Sequence, residues 1–237
     1  MNIPPVPILF GCVLKDMPEW RDQIQSLIGF PDVQLGIFLQ EVPLEQRKNF
    51  YTTLEASSIK NIPFVQLASD SQVWEIQYLV EKFSTSVFSV PAHASSLPVI
   101  DSWPEVEAVC VVENSSDEVK ESIFNQDIFS HSRIKGVCVD LGSLENKRIQ
   151  KNEDYTKDIL VLDHQSISCV TVSPLAVSWW EKLSFKPNHL TSLAQLRYLA
   201  HFPRHYFGSM VILKLNNSFE EQNEVKLYLN SILNPDV

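Results

Sequence analysis

Glycine is scarce in this chain: six residues of 237, against fourteen prolines. Neither GxGxxG nor GxxxxGKS/T occurs. That excludes the common loops whose bare backbone N–H groups cradle a phosphate at a helix N-terminus. Cysteine is sparse as well, with four residues and no CxxC, so no close-spaced thiol pair offers a zinc or redox motif. Cations are outnumbered, Lys+Arg 19 against Asp+Glu 29, for a formal charge of −10. A surface that negative repels phosphate backbones, so nucleic acid is an unfavourable partner. Long apolar runs are missing too. The opening MNIPPVPILFGCVL is too short to span a bilayer and lacks the basic segment of a signal peptide. No membrane association and a cytoplasmic location are therefore expected.

The chain does contain enough apolar mass for a large core, 44% hydrophobic residues. Cys110 lies in AVCVV, Cys138 in GVCVD and Cys169 in SCVTV, apolar runs in which buried reduced thiols are expected. Short β-branched runs alternate with longer stretches of helical spacing. Strands are expected over 8–14, 33–39, 64–67, 87–90, 108–112, 136–139, 168–172 and 210–215. Helices are expected over 18–28, 44–59, 71–83, 117–129, 154–162, 192–201 and 219–233, with irregular connections over 93–104 and 174–188. Pro18 suits a first helical turn, and Ser71, Ser192 and Ser218 suit N-caps, the last followed by Glu220 and Glu221.

Repeated strand–helix units with apolar strands imply a parallel sheet covered by helices. Eight of them in this length fit an α/β protein with a (β/α)8 barrel, and no linker or charge block divides 1–237 into more than one domain. A doubly wound open sheet is the rival. In a barrel, functional groups gather where strands end. Those ends carry Glu41, His93, Glu113–Asn114, Asp140 and Lys214, with Asn216 just beyond; His189 and Trp179 fall in the loop after the seventh strand. Strands must end in polar loops in any case, so each position alone also fits solvation or helix capping.

The run VVEN at 111–114 and the run GVCVDLGSL at 136–144 resemble the fifth- and sixth-strand motifs of xylose isomerase-like TIM barrels. That superfamily holds sugar and sugar-phosphate isomerases and epimerases, together with endonuclease IV-type enzymes. The resemblance implies that Glu113 and Asp140 match metal or substrate ligands, with His93 and His189 matching histidines after the fourth and seventh strands. Two departures bear on a metal. Ser143 stands where the family has histidine, and Lys214 stands where its eighth strand ends in a carboxylate. An ammonium in place of a carboxylate repels a cation, so no metal cofactor is expected, and Lys214 is expected to neutralise Glu113 and Asp140 in a salt-bridge cluster.

The residues expected to do chemistry are Glu113, Asp140, Lys214 and His93, with Glu41, Asn114, His189, Asn216 and Trp179 contacting a small ligand such as a sugar or sugar phosphate. Proton abstraction beside a carbonyl needs a base and a cation for the enediolate, and Lys214 is a cation already in place. A Schiff base at Lys214 is disfavoured because flanking carboxylates raise its pKa. A non-catalytic barrel that binds a small molecule or a protein is the alternative. An endonuclease IV-like enzyme fits least, since its three-metal site needs more histidines and carboxylates than are placed here.

Overall fold

The computed structural model describes residues 5–14, 19–26, 33–39, 42–57, 59–68, 70–91, 100–103, 108–112, 132–142, 145, 167–173, 199, 207–215 and 218–235. Within them the chain forms β1 (Ile8–Val13), α1 (Glu19–Ser26), β2 (Gln34–Phe38), α2 (Leu44–Ala56), β3 (Asn61–Gln66), α3 (Val73–Phe83) and β4 (Val87–Pro91). There follow β5 (Ala108–Val112), β6 (Ile134–Asp140), β7 (Ile167–Val172), β8 (Val211–Leu213) and α4 (Phe219–Leu233). Each strand pairs in parallel with the next, and β8 returns to β1 through Ile8↔Val211 and Leu9↔Ile212. The ring is closed. The chain has the α/β TIM-barrel fold.

Alternation along the strands sorts the core into an inner and an outer layer. Leu9, Phe38, Phe64, Cys138, Cys169 and Ile212 fill the lumen. Their neighbours face outward, for example Phe10 and Cys12 on β1, Val137 and Val139 on β6, and Val211 and Leu213 on β8. Phe10 meets Phe219 of α4 edge to face, with ring centres 5.8 Å apart.

The seam between β1 and β8 is short, and α4 completes it. The Gly11 N–H donates to Gln222 Oε1 at 2.8 Å, and Gln222 Nε2 donates back to the Gly11 carbonyl at 2.9 Å. Gly11 has to be glycine here, because a Cβ would lie 1.5 Å from the Leu213 carbonyl oxygen. At the other end of α4, Asn234 repeats the device on Val6, accepting from its N–H at 2.8 Å and donating to its carbonyl at 3.1 Å.

Element boundaries differ from the sequence expectation where side chains interrupt the backbone ladder. The third strand begins at Asn61, three residues before 64, although Pro63 lies inside it. Proline has no N–H to give, and the β2–β3 register shifts across this stretch, between Gln34 and Gly36. The second helix stops at Ala56, because the Ser57 hydroxyl turns back to the Leu54 carbonyl and accepts from the Ile59 N–H. α3 is capped by Gln72, whose N–H donates to Glu75 Oε2 at 2.9 Å. Ser71, expected as that cap, instead accepts from the Ala68 N–H and closes the preceding loop. Ser218 does cap α4, exchanging hydrogen bonds with Glu221. The connection expected to be irregular over 93–104 contains a helical turn at Ile100–Asp101. Arg133 holds that turn by donating to the Ile100 and Trp103 carbonyls. The helices expected over 117–129 and 154–162, the irregular 174–188 and nearly all of 192–201 lie outside the described residues.

Candidate functional site at the barrel mouth

The C-terminal ends of the strands turn a mixed polar set into the lumen. On β6, Val139 packs outward and Cys138 fills the lumen, so Asp140 points in. It is buried, and the Ser173 hydroxyl donates to its Oδ1 at 2.5 Å. On the eighth strand's end, Leu213 and Leu215 pack outward. Lys214 therefore points in, its N–H tied to the Val172 carbonyl at 2.9 Å and its Nζ 5.4 Å from the centre of the Phe38 ring.

Two residues below Asp140, the Cys138 thiol lies against Cys169, its register partner on β7. The Cys138 pKa is driven up first by the hydrogen bond to Cys169, then by burial, and further by the Cys169 and Asp140 charges, while Lys214 pulls it down. One thiol thus feels both charges. Asp140 and Lys214 both turn into the lumen mouth, on the ends of the two strands that flank β7. Cys12, Cys138 and Cys169 are buried thiols outside any disulfide, and burial pushes the Cys12 thiol to about 12.

Of the residues singled out from sequence, these two are the ones the structure describes. Glu41, His93, Glu113, Asn114, Trp179, His189 and Asn216 lie outside the described residues, as does Ser143.

The structure adds a polar cluster that the sequence reading missed. Arg47 in the first turn of α2 is wholly buried, and so is Glu75 in the first turn of α3. Arg47 Nε and one terminal nitrogen donate to the two Glu75 oxygens at 2.9 and 3.2 Å, and the other terminal nitrogen donates to Asp70 at 2.8 Å and to the Val42 carbonyl. Tyr51 donates to Glu75 Oε1 at 2.9 Å. Burial alone would lower the Arg47 pKa, but the hydrogen bonds and charges of Glu75 and Asp70 raise it on balance. Tyr51 is raised by burial first and then by the Glu75 carboxylate. The cluster locks the helices that follow β2 and β3 to each other beside the mouth. Its signal in the sequence is a pair of opposite charges, each set on the apolar stripe of its helix: 47, 50, 51, 54 and 75, 76, 79, 83.

Among the described residues no group of three or more His, Cys, Asp or Glu is set to hold a metal ion. Among the described residues no helix is long and apolar enough to cross a membrane.

No protein-family model matches the chain, and no curated protein matches it. Among solved structures, phosphoribosyl anthranilate isomerase from Thermococcus kodakaraensis is similar at 14% identity and a TM-score of 0.43, over 88% of this chain and 87% of that one. The barrel itself rests on the strand pairing within this chain.

Proposed function

We propose that the barrel mouth binds a sugar or sugar phosphate and catalyses its isomerisation or epimerisation without a metal, as a relative of the xylose isomerase-like barrels. The observation that carries this reading is that Asp140 and Lys214 both turn into the lumen on strand ends either side of β7, the one held by Ser173 and the other by the Val172 carbonyl. Asp140 holds or moves the proton next to the substrate carbonyl, its orientation set by the Ser173 hydroxyl. Lys214 supplies the positive charge on which an enediolate oxygen rests, the task a metal performs in the relatives. The Phe38 ring beneath the ammonium restricts where it goes.

Glu113 and His93 complete this machinery in the proposal, and Glu41, Asn114, His189, Asn216 and Trp179 line the ligand. The reading also takes 1–237 as one domain, working in the cytoplasm on a small molecule, with neither nucleic acid nor membrane as partner. A second reading, a barrel that binds such ligands without turnover, is favoured by the ammonium that stands at Lys214 in place of the family's carboxylate. The test is incubation of purified protein with aldose and ketose phosphates in EDTA, followed by NMR. New isomer or epimer signals support catalysis; binding without conversion supports the second reading; the absence of both binding and conversion refutes both readings.

A further inference from the structure

Barrel interiors are ordinarily filled by branched apolar side chains. This lumen sets two thiols side by side instead. Cys138 of β6 and Cys169 of β7 are register partners, both face inward, and they share a hydrogen bond. Both are buried, and neither is in a disulfide. Paired strands lie about 4.8 Å apart, inside the roughly 4.4–6.8 Å between α-carbons that a disulfide spans. The β-carbons of a regular ladder stand somewhat farther apart than a disulfide prefers. Here β6 is not regular. Its register shifts on both sides, against β5 between Ala108 and Cys110 and against β7 between Val137 and Cys138. Gly136, at φ 152°, lies in the same stretch, and such irregularities bend and twist a strand enough to bring its side chains closer to a neighbour.

We propose that Cys138 and Cys169 are a modification site, a dithiol that a small peroxide converts to a disulfide inside the barrel. One sulfur, as thiolate, attacks a peroxide oxygen. The O–O bond breaks, leaving a sulfenic acid and a hydroxide that takes up the proton the thiol released. The second sulfur then attacks the first, the S–S bond forms, and the sulfenic hydroxyl leaves with the second thiol proton as water. Two thiols and one hydrogen peroxide become one disulfide and two waters. Contact between the sulfurs decides the product, because a sulfenic acid captured at once does not go on to sulfinic acid. Burial favours a small oxidant, and hydrogen peroxide is little larger than water. Asp140 and Thr171, themselves register partners, each lie two residues beyond one of the cysteines and so on the same face. The bond therefore staples β6 to β7 directly beneath Asp140. This site is independent of what the mouth binds.

The test is hydrogen peroxide treatment of the folded protein, alkylation with iodoacetamide in guanidinium, and mass spectrometry of the unreduced digest. Peptides joined through Cys138 and Cys169 are expected, lighter by two hydrogens than the reduced pair and separated by dithiothreitol. Cys12, whose register partner is Ile37, is expected to enter no disulfide. The joined form should melt several degrees above the reduced form, because a crosslink restricts the unfolded chain. Peroxide added in guanidinium, where the barrel is gone, should show no preference for this pair. Alkylation of both Cys138 and Cys169 after peroxide, or sulfinic acid at either, overturns the proposal. So does a joined form that melts below the reduced one, or an equal preference for the pair in guanidinium.

Discussion

Gln222 and Gly11 lie 211 positions apart in sequence, yet the amide of one satisfies both backbone groups of the other. The last helix thereby closes the barrel on its first strand. Both groups are buried, so removing the amide strands two partners at once. Gln222→Leu should lower stability by roughly 2–6 kcal/mol, since each of the two unmatched groups costs about 1–3 kcal/mol. Urea denaturation reads the loss, and hydrogen exchange should show the Gly11 amide opening faster than those in the middle of the β5–β6 ladder.

The buried Arg47–Glu75 pair is cheap to replace and costly to break. Arg47→Met leaves a carboxylate with little but Tyr51 and a backbone N–H to answer it. A loss of about 3–5 kcal/mol is expected. The double variant Arg47→Met with Glu75→Leu should recover most of that, because apolar pairs of similar volume substitute well for buried ions. A double-mutant cycle on denaturation midpoints checks the sign of the recovery.

Scarce glycine leaves a trace at the end of α3. Ser84 takes φ 54° and ψ 36°, the left-handed conformation, while its N–H bonds back to the Val80 carbonyl. Glycine adopts that geometry without the Cβ penalty. Ser84→Gly should therefore raise stability by about 1 kcal/mol, a shift of a few degrees in thermal midpoint.

Burial of Cys12 ties stability to alkaline pH. Its thiol pKa rises from 9.0 to about 12 on folding, so the folded chain keeps a proton that the unfolded chain loses. The stabilisation from this group is fully present below pH 9.0 and is lost as pH climbs toward 12. The slope is about 1.4 kcal/mol per pH unit. Cys12→Ala should flatten the stability profile in that window, with the remaining slope coming from groups such as Tyr51, raised first by burial, and Cys138, raised first by its hydrogen bond to Cys169.

The barrel was legible because parallel strands buried on both faces read as apolar runs, and one such run came out with identical limits, Ala108–Val112. Boundaries drifted where a specific side chain decided them. Pro63 hid the start of β3, and Ser57 ended α2 early. Asp140 and Lys214 stood out because a charge directly follows apolar strand residues. Their convergence depends on barrel closure, which no local pattern encodes. Arg47 and Glu75 escaped notice because each is an ordinary helix former, and nothing local reveals that two helices aim them at each other. Gln222 reads as a surface glutamine until β1 is brought beside it.

In the proposed function Asp140 and Lys214 together perform metal-free proton transfer next to a carbonyl. Its most direct measurement is deuterium incorporation from D2O at the carbon beside the carbonyl of a bound ketose phosphate, followed by NMR in EDTA. Exchange by the parent is expected, with a fall of about 100-fold or more in both Asp140→Asn and Lys214→Met and the far-ultraviolet circular dichroism of each unchanged. Exchange that proceeds at the parent rate in both variants, or that appears only when a divalent metal is added, would contradict it.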